Sequence, residues 1–141
     1  MSQHTQEESV RETVGTFFRL LGEGDADRVA DVFAEEIDWL VPGDERLPWV
    51  GRRSRREEVP EYFKLLWPAL VAGASEITFD KVLVDGADAV ALGHFTHTAK
   101  ATGRRFSTPV AFHFTVADGK LVRLHLYEDT YAVSRAMDVT G

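Results

Sequence analysis

The stretch that decides the fold is ALGHFTHTAKATGRRFSTPVAFHFTVADGKLVRLHLYED, residues 91–129. Apolar and polar residues alternate through it with a period of two, the signature of strands that bury one face. The turn signals Thr102-Gly103 and Ala117-Asp118-Gly119 divide it into consecutive antiparallel strands. Extended upstream to Glu76, the same period predicts four strands near 76–84, 89–99, 104–116 and 120–128, with DGAD at 85–88 as a further turn.

Before Glu76 the period is 3.6. Val10, Val14, Phe17, Phe18 and Leu21 share a helical face, with Thr5 and Glu8 as a capping box. Asp25 caps a second helix through Val29, Val32 and Phe33. A short strand is expected over 37–41, then a Pro/Gly-rich loop over 41–51. Ser54 and Glu57 read as a second capping box, opening a third helix on which Val59, Phe63, Leu66 and Trp67 line up, with Pro60 in its first turns. Asp129 and Thr130 cap a short C-terminal helix through Ala132 and Arg135. Helices first and a meander after predict one α+β domain over 1–141, with residues 1–6 and 137–141 flexible: three N-terminal helices packed on a strongly curved, mainly antiparallel sheet around a pocket.

Composition narrows the function. The chain has 141 residues, a formal charge of -7 and no cysteine. No thiolate nucleophile, disulfide or Cys-ligated metal is available. The acidic balance argues against nucleic acid. The polar first residues and the lack of a long apolar run argue against secretion and membrane insertion, so a cytoplasmic location is expected. The one basic cluster, Arg52, Arg53, Arg55 and Arg56, runs straight into Glu57 and Glu58, and reads as a solvated helix start before an anion site.

If the turns pair residue 97 with 108 and 108 with 128, apolar rows form the inner face: Ala91, Phe114, Val122; Gly93, Phe112, Leu124; Phe95, Val110, Leu126. The next row is His97, Thr108, Glu128. Three polar residues at the rim of an apolar wall suit proton transfer: His97 as acid or base, Glu128 as its partner or the acid itself, Thr108 as a hydrogen-bond donor. The competing reading is that the strands simply reach solvent there. Asp129 is the second choice for a catalytic carboxylate, with helix capping as its main reading. Trp39, Val41, Trp49, Phe17, Tyr62, Phe63, Phe95, Phe112 and Leu126 are the candidate substrate-binding residues. Trp39 and Trp49 flank the loop expected at the pocket mouth.

The opposite face carries His94, His113, Arg123, His125 and Tyr127, with Leu92, Thr96 and Pro109. It reads as a homodimer interface. A metal site on its histidines is disfavoured for want of a well-placed carboxylate, and no metal or cofactor is expected. Pro109 predicts a bulge or a missing ladder bond.

GDADRVADVFAEEIDWLVPG (24–43), G-x-x-SRREEVPEYFKLLW (51–67) and DGKLVRLHLYEDT (118–130), in that order, resemble the nuclear-transport-factor-2-like superfamily and, within it, the SnoaL-like proteins. The resemblance covers nearly the whole chain and implies a cone-shaped domain with a deep pocket, often dimeric through its convex face. It does not carry a ready-made active site. The ketosteroid isomerase pattern would put its tyrosine at Phe17, its base near Val41 and its protonated acid near Phe112. The limonene-type epoxide hydrolase pattern would put its arginine and two aspartates near Gly93, Phe95 and Leu126, and its water-holding tyrosine and asparagine at Trp39 and Val41. Neither set of proton-moving groups is present. SnoaL-like cyclases place an acid–base aspartate on the last strand, where Glu128 or Asp129 stands here. The expected activity is cofactor-free proton transfer on a small hydrophobic molecule, by cyclisation, isomerisation or dehydration. The alternatives are a non-catalytic ligand-binding protein and a scaffold that uses only its outer face.

Overall fold

The computed structural model describes residues 3–138, with the side chains of 3 and 4 left out. Of the two ends expected to be flexible, residues 1–2 and 139–141 lie outside that range. The chain forms α1 (Gln3–Glu23), α2 (Ala26–Ala30), β1 (Phe33–Val41), β2 (Gly51–Arg55), α3 (Val59–Leu66), β3 (Glu76–Asp85), β4 (Asp88–Thr98), β5 (Arg105–Ala117), β6 (Lys120–Glu128) and α4 (Thr130–Ala136). Six strands make one mixed sheet in the order β2-β1-β6-β5-β4-β3. Neighbours are antiparallel except β1 and β6, which run parallel. The sheet curves around α1 and α3 without closing on itself, so β2 and β3 remain edges.

The core lies between helices and concave face. Phe17, Phe33, Trp39, Phe114 and Leu121 are 2% exposed or less. Burying side chains of this size stabilises the fold by roughly 1.5–3 kcal/mol each. Phe112 and Phe114 stack with planes 5° apart, and Phe17 and Phe18 meet them edge-on. At Gly93 on β4, an added Cβ would collide with the carbonyl oxygen of Thr78. A shift in the β3–β4 register between Phe79 and Lys81 brings that backbone close.

The four meander strands fall within a residue of their predicted limits, but their register differs by two residues in both hairpins. His97 pairs with Phe106, Phe95 with Thr108, and Glu128 with Val110. The expected row of His97, Thr108 and Glu128 is therefore absent. After β4 the connection is a four-residue loop closed by Ala99 N–H to Arg104 O, where a two-residue Thr-Gly turn was expected. After β5 the expected three-residue turn over 117–119 is a two-residue one, Asp118-Gly119, both at positive φ, with Ala117 paired to Lys120, and a shift between Thr115 and Val116 inserts an extra residue on β6. Leu121, and not Val122, consequently faces the core. On the outer face the same offset sets His113 opposite Val90 and His125, and Arg123 opposite Thr115. No shift occurs at Pro109, which lies beyond the last β5–β6 pair and has no ladder to interrupt on that side.

The first half shows other departures. Helix α2 ends at Ala30, and Phe33 already opens β1, four residues before the predicted strand. Thr5 lies inside α1 and not at its cap. Residues 51–55 are a strand, which the charged run GRRSR conceals because it has no apolar alternation. Glu58, not Glu57, closes the turn into α3: its carboxylate accepts from the backbone N–H groups of Ser54 and Arg55, at 3.0 Å each. The C-terminal cap is where it was expected, with Asp129 Oδ1 accepting from Ala132 N–H at 3.0 Å.

Candidate functional site

A cavity of about 430 Å³ opens between α1, α3 and the concave face. Eight of the nine predicted substrate-binding residues line it: Phe17, Trp39, Val41, Tyr62, Phe63, Phe95, Phe112 and Leu126. The ninth, Trp49, lines a smaller adjoining chamber of about 30 Å³ together with Glu128. His97, Tyr62 and Phe95 belong to both spaces. The mouth is not where it was expected. Trp39 and Trp49 are 2% and 5% exposed, well inside the protein, and the exposed part of the lining is instead Gly22, Gly24, Val71 to Gly73, Ser75 and Ile77. The Pro/Gly-rich loop packs down because it carries two large apolar anchors, Leu47 and Trp49.

Thr108 is 1% exposed, and its hydroxyl is fully engaged. It donates to Pro109 O at 2.9 Å and accepts from Asp129 N–H at 2.7 Å, tying β5 to the start of α4. Asp129 is occupied as that helix's cap. Glu128, one residue earlier, faces inward opposite Val110. Among the described residues nothing hydrogen-bonds or ion-pairs with its carboxyl group. Burial, with the negative charge of Asp129 beside it, pushes Glu128 up to about 7. It therefore exchanges its proton near neutral pH.

His97 sits between the Phe95 and Phe106 rings, at 5.4 and 5.7 Å. Burial holds its basicity below the ordinary histidine value, favouring the neutral imidazole. Its Nδ1 is hydrogen-bonded to Ser75 Oγ at 2.7 Å, which leaves Nε2 for a second group. Tyr62, on α3, is held as the neutral phenol: burial and the charge of Glu128 push its ionisation up, against a smaller opposing effect from Arg53. The Arg53 guanidinium lies over the Tyr62 ring at 5.4 Å and donates to Trp49 O at 3.0 Å. Trp39 Nε1 is buried with no hydrogen-bond partner among the described residues, while its ring packs edge-on against Tyr62 and Phe63.

Of two further residues of this site, Ser75 escaped the sequence reading, and Arg53, read as part of a solvated helix start, is instead buried at 8% exposure on β2. Ser75 stands alone in a turn, and Arg53 is hidden in a basic run on a short edge strand. Neither sits in a hydrophobic period that would mark it as inward-facing.

The outer face is built on the opposite plan. Asp38 lies 3.2 Å from Arg123 Nε and 3.0 Å from His125 Nε2, the latter a polar contact that falls short of an aligned hydrogen bond. Asp88 takes Thr115 Oγ1 at 2.6 Å and His113 Nε2 at 3.0 Å. These partners hold both carboxylates below their usual range. No group of three or more potential metal ligands occurs among the described residues, and no helix there is long and apolar enough to cross a membrane.

An α+β cone whose curved sheet and helices enclose an apolar cavity defines the nuclear-transport-factor-2-like class of pocket proteins. Within that class the chain belongs to the SnoaL-like domain family, whose model matches residues 14–124. A search of curated proteins finds no match. Among solved structures, an NTF2-like protein from Burkholderia xenovorans LB400 is 25% identical, with 93% of this chain and 97% of that one covered and a TM-score of 0.78. A protein assigned as a SnoaL-like polyketide cyclase from Jannaschia sp. CCS1 is 19% identical, with 96% of each chain covered and a TM-score of 0.75. TerC, co-crystallized with polyporic acid, is 16% identical, with 92% and 98% covered and a TM-score of 0.82.

Proposed function

We propose that this protein binds a small hydrophobic molecule in the cavity and moves protons on it without a cofactor, in a cyclisation, isomerisation or dehydration. The observation that carries the reading is Glu128, a carboxyl group with no partner among the described residues, in a chamber that shares His97 and Tyr62 with an apolar cavity. A buried carboxyl group that titrates near 7 is matched to proton transfer at neutral pH. In this mechanism neutral His97 takes a proton from a carbon beside a carbonyl, and protonated Glu128 delivers one to the oxygen or carbon that receives it. Thr108 acts as a positioning residue through the Asp129 N–H, not as a donor to the substrate. Polyporic acid in TerC is a precedent for a small organic ligand in a neighbour of the same fold, and makes that compound a first probe.

The test is ligand identification by native mass spectrometry, starting from polyporic acid and a panel of aromatic polyketides, followed by turnover assays on Glu128→Gln and His97→Ala. Each variant is expected to lower kcat by about 100-fold or more. Full turnover by both would overturn the assignment. Loss of affinity in both, for a ligand the wild type never converts, would favour a non-catalytic binding protein.

The outer face is proposed as a homodimer interface, with Leu92 and Tyr127 exposed on it beside His94, His113, Arg123 and His125. A dimeric mass in solution that Tyr127→Glu shifts to the monomer is the expected result. A cytoplasmic location accompanies this reading.

A further inference from the structure

The segment that rims the cavity is also bonded to His97. Residues 70–75 leave the helical layer after α3 and a short 3-10 turn at Trp67–Ala69, then pass over the cavity mouth into β3. Backbone bonds pin the start of this segment to the end of β4, from Val71 N–H to Thr98 O and from Lys100 N–H to Ala69 O, both at 2.9 Å. Between Val71 and Glu76, where the β3–β4 ladder resumes opposite Thr96, the hold is weaker. Ala74 N–H reaches Val71 O at 3.3 Å, and Gly73 takes the left-handed conformation that lets the chain turn back. Val71, Ala72 and Gly73 are all exposed while lining the cavity. At the far end of this loosely held turn, Ser75 Oγ lies 2.7 Å from His97 Nδ1. Apart from this bond, the packing of His97 comes from the Phe95 and Phe106 rings, which offer no directional partner to its nitrogens.

We propose that Ser75 is the positioning residue for His97, so that closure of the 71–75 turn over the cavity sets the tautomer and orientation of the imidazole. A hydrogen bond at one ring nitrogen decides what the other can do. With Nδ1 engaged on the rim, Nε2 is the nitrogen presented to a bound molecule. When the turn lifts to admit a ligand, Ser75 moves with it and the ring loses the one hydrogen bond its nitrogens make among the described residues. Entry and chemical competence are thereby coupled through one side chain.

The inference rests on His97 being the acid–base group, but its test needs neither substrate nor turnover. The imidazole nitrogen shifts of His97, read by NMR on nitrogen-15-labelled full-length protein, report the tautomer directly. One dominant tautomer is expected in the wild type, and a mixture near that of free histidine in Ser75→Ala, with Ser75→Thr restoring the wild-type pattern. Amide exchange over 71–76 is expected to quicken by up to about tenfold in Ser75→Ala, as loss of one hydrogen bond allows. His97→Ala should quicken the same amides, since it removes the other partner. Unchanged shifts in Ser75→Ala, or identical shifts in the Ala and Thr variants, would overturn the proposal. So would exchange quickened by Ser75→Ala but not by His97→Ala. Failure of the proposed proton chemistry would appear separately, as wild-type turnover in His97→Ala with the tautomer results intact.

Discussion

The two faces of one sheet handle charge in opposite ways. On the convex face, Asp38 and Asp88 each gather at least two polar partners within 3.2 Å, and both carboxylates are more acidic than usual. On the concave face, Glu128 has no partner among the described residues and is less acidic than usual. A paired carboxylate is stabilised as a permanent anion and serves architecture. An unpaired one amid apolar walls is held near the balance between its two forms, the condition an acid–base group requires. The contrast supports placing the proposed chemistry on the concave side, where Glu128 has no counter-charge among the described residues.

Four changes would break or sharpen that contrast. The largest effect is expected from Phe112→Ala at the centre of the concave ring cluster, with a loss of about 3–5 kcal/mol in denaturant unfolding because the neighbouring rings cannot collapse into the gap. A loss below 1 kcal/mol would mean that the concave wall is not a packed core. Thr108→Val should cost about 1–3 kcal/mol, since it leaves the Asp129 N–H without its acceptor at the entry to α4; faster amide exchange confined to α4 would identify the cause.

Glu128→Gln should act in the stabilising direction. In the folded protein Glu128 holds its proton to about pH 7, above the unfolded value of 4.5. The wild type therefore loses stability as pH rises through the window between those two values. The amide escapes this penalty, so the variant should melt higher than the wild type near pH 8 and equally near pH 5. A variant that melts lower at both would show that Glu128 is a paired structural group. The smallest effect is expected from Asp38→Asn on the convex face, a loss of about 1 kcal/mol or less that shrinks in high salt. Because pairing makes Asp38 more acidic than usual, its contribution is present at neutral pH and fades as pH falls through the ordinary carboxylate range.

Much of the fold was legible. The meander strands, the Asp129 cap and eight of the cavity-lining residues follow from periodicity and local hydrogen-bonding chemistry. Strand β2 was not, since an edge strand made of GRRSR carries charge where a buried strand would carry an apolar alternation. The mouth of the cavity was misread for a related reason. Pro and Gly mark a turn, but whether a loop lies over the core or stands open depends on what Trp49 and Leu47 find beneath them.

By itself the sequence determined which face of the sheet most strand side chains take, the exceptions lying at the β6 bulge, where Leu121 replaces Val122 on the inner face. A period of two is blind to a slip of two residues, so Glu128 and His97 are on the concave side whether or not the turns have the assumed length. Which residues stand side by side was decided only in the tertiary structure. One hairpin closed through a longer loop and the other through an extra residue on β6, and together they dissolved the row of His97, Thr108 and Glu128. Thr108 was thereby left to hold a helix start, Glu128 was left beside Val110 without a partner among the described residues, and His97 shares a hydrogen bond with Ser75, on a segment 22 residues away in the chain. Loop closure and bulge placement depend on how distant segments pack. That balance is non-local, and no run of residues states it.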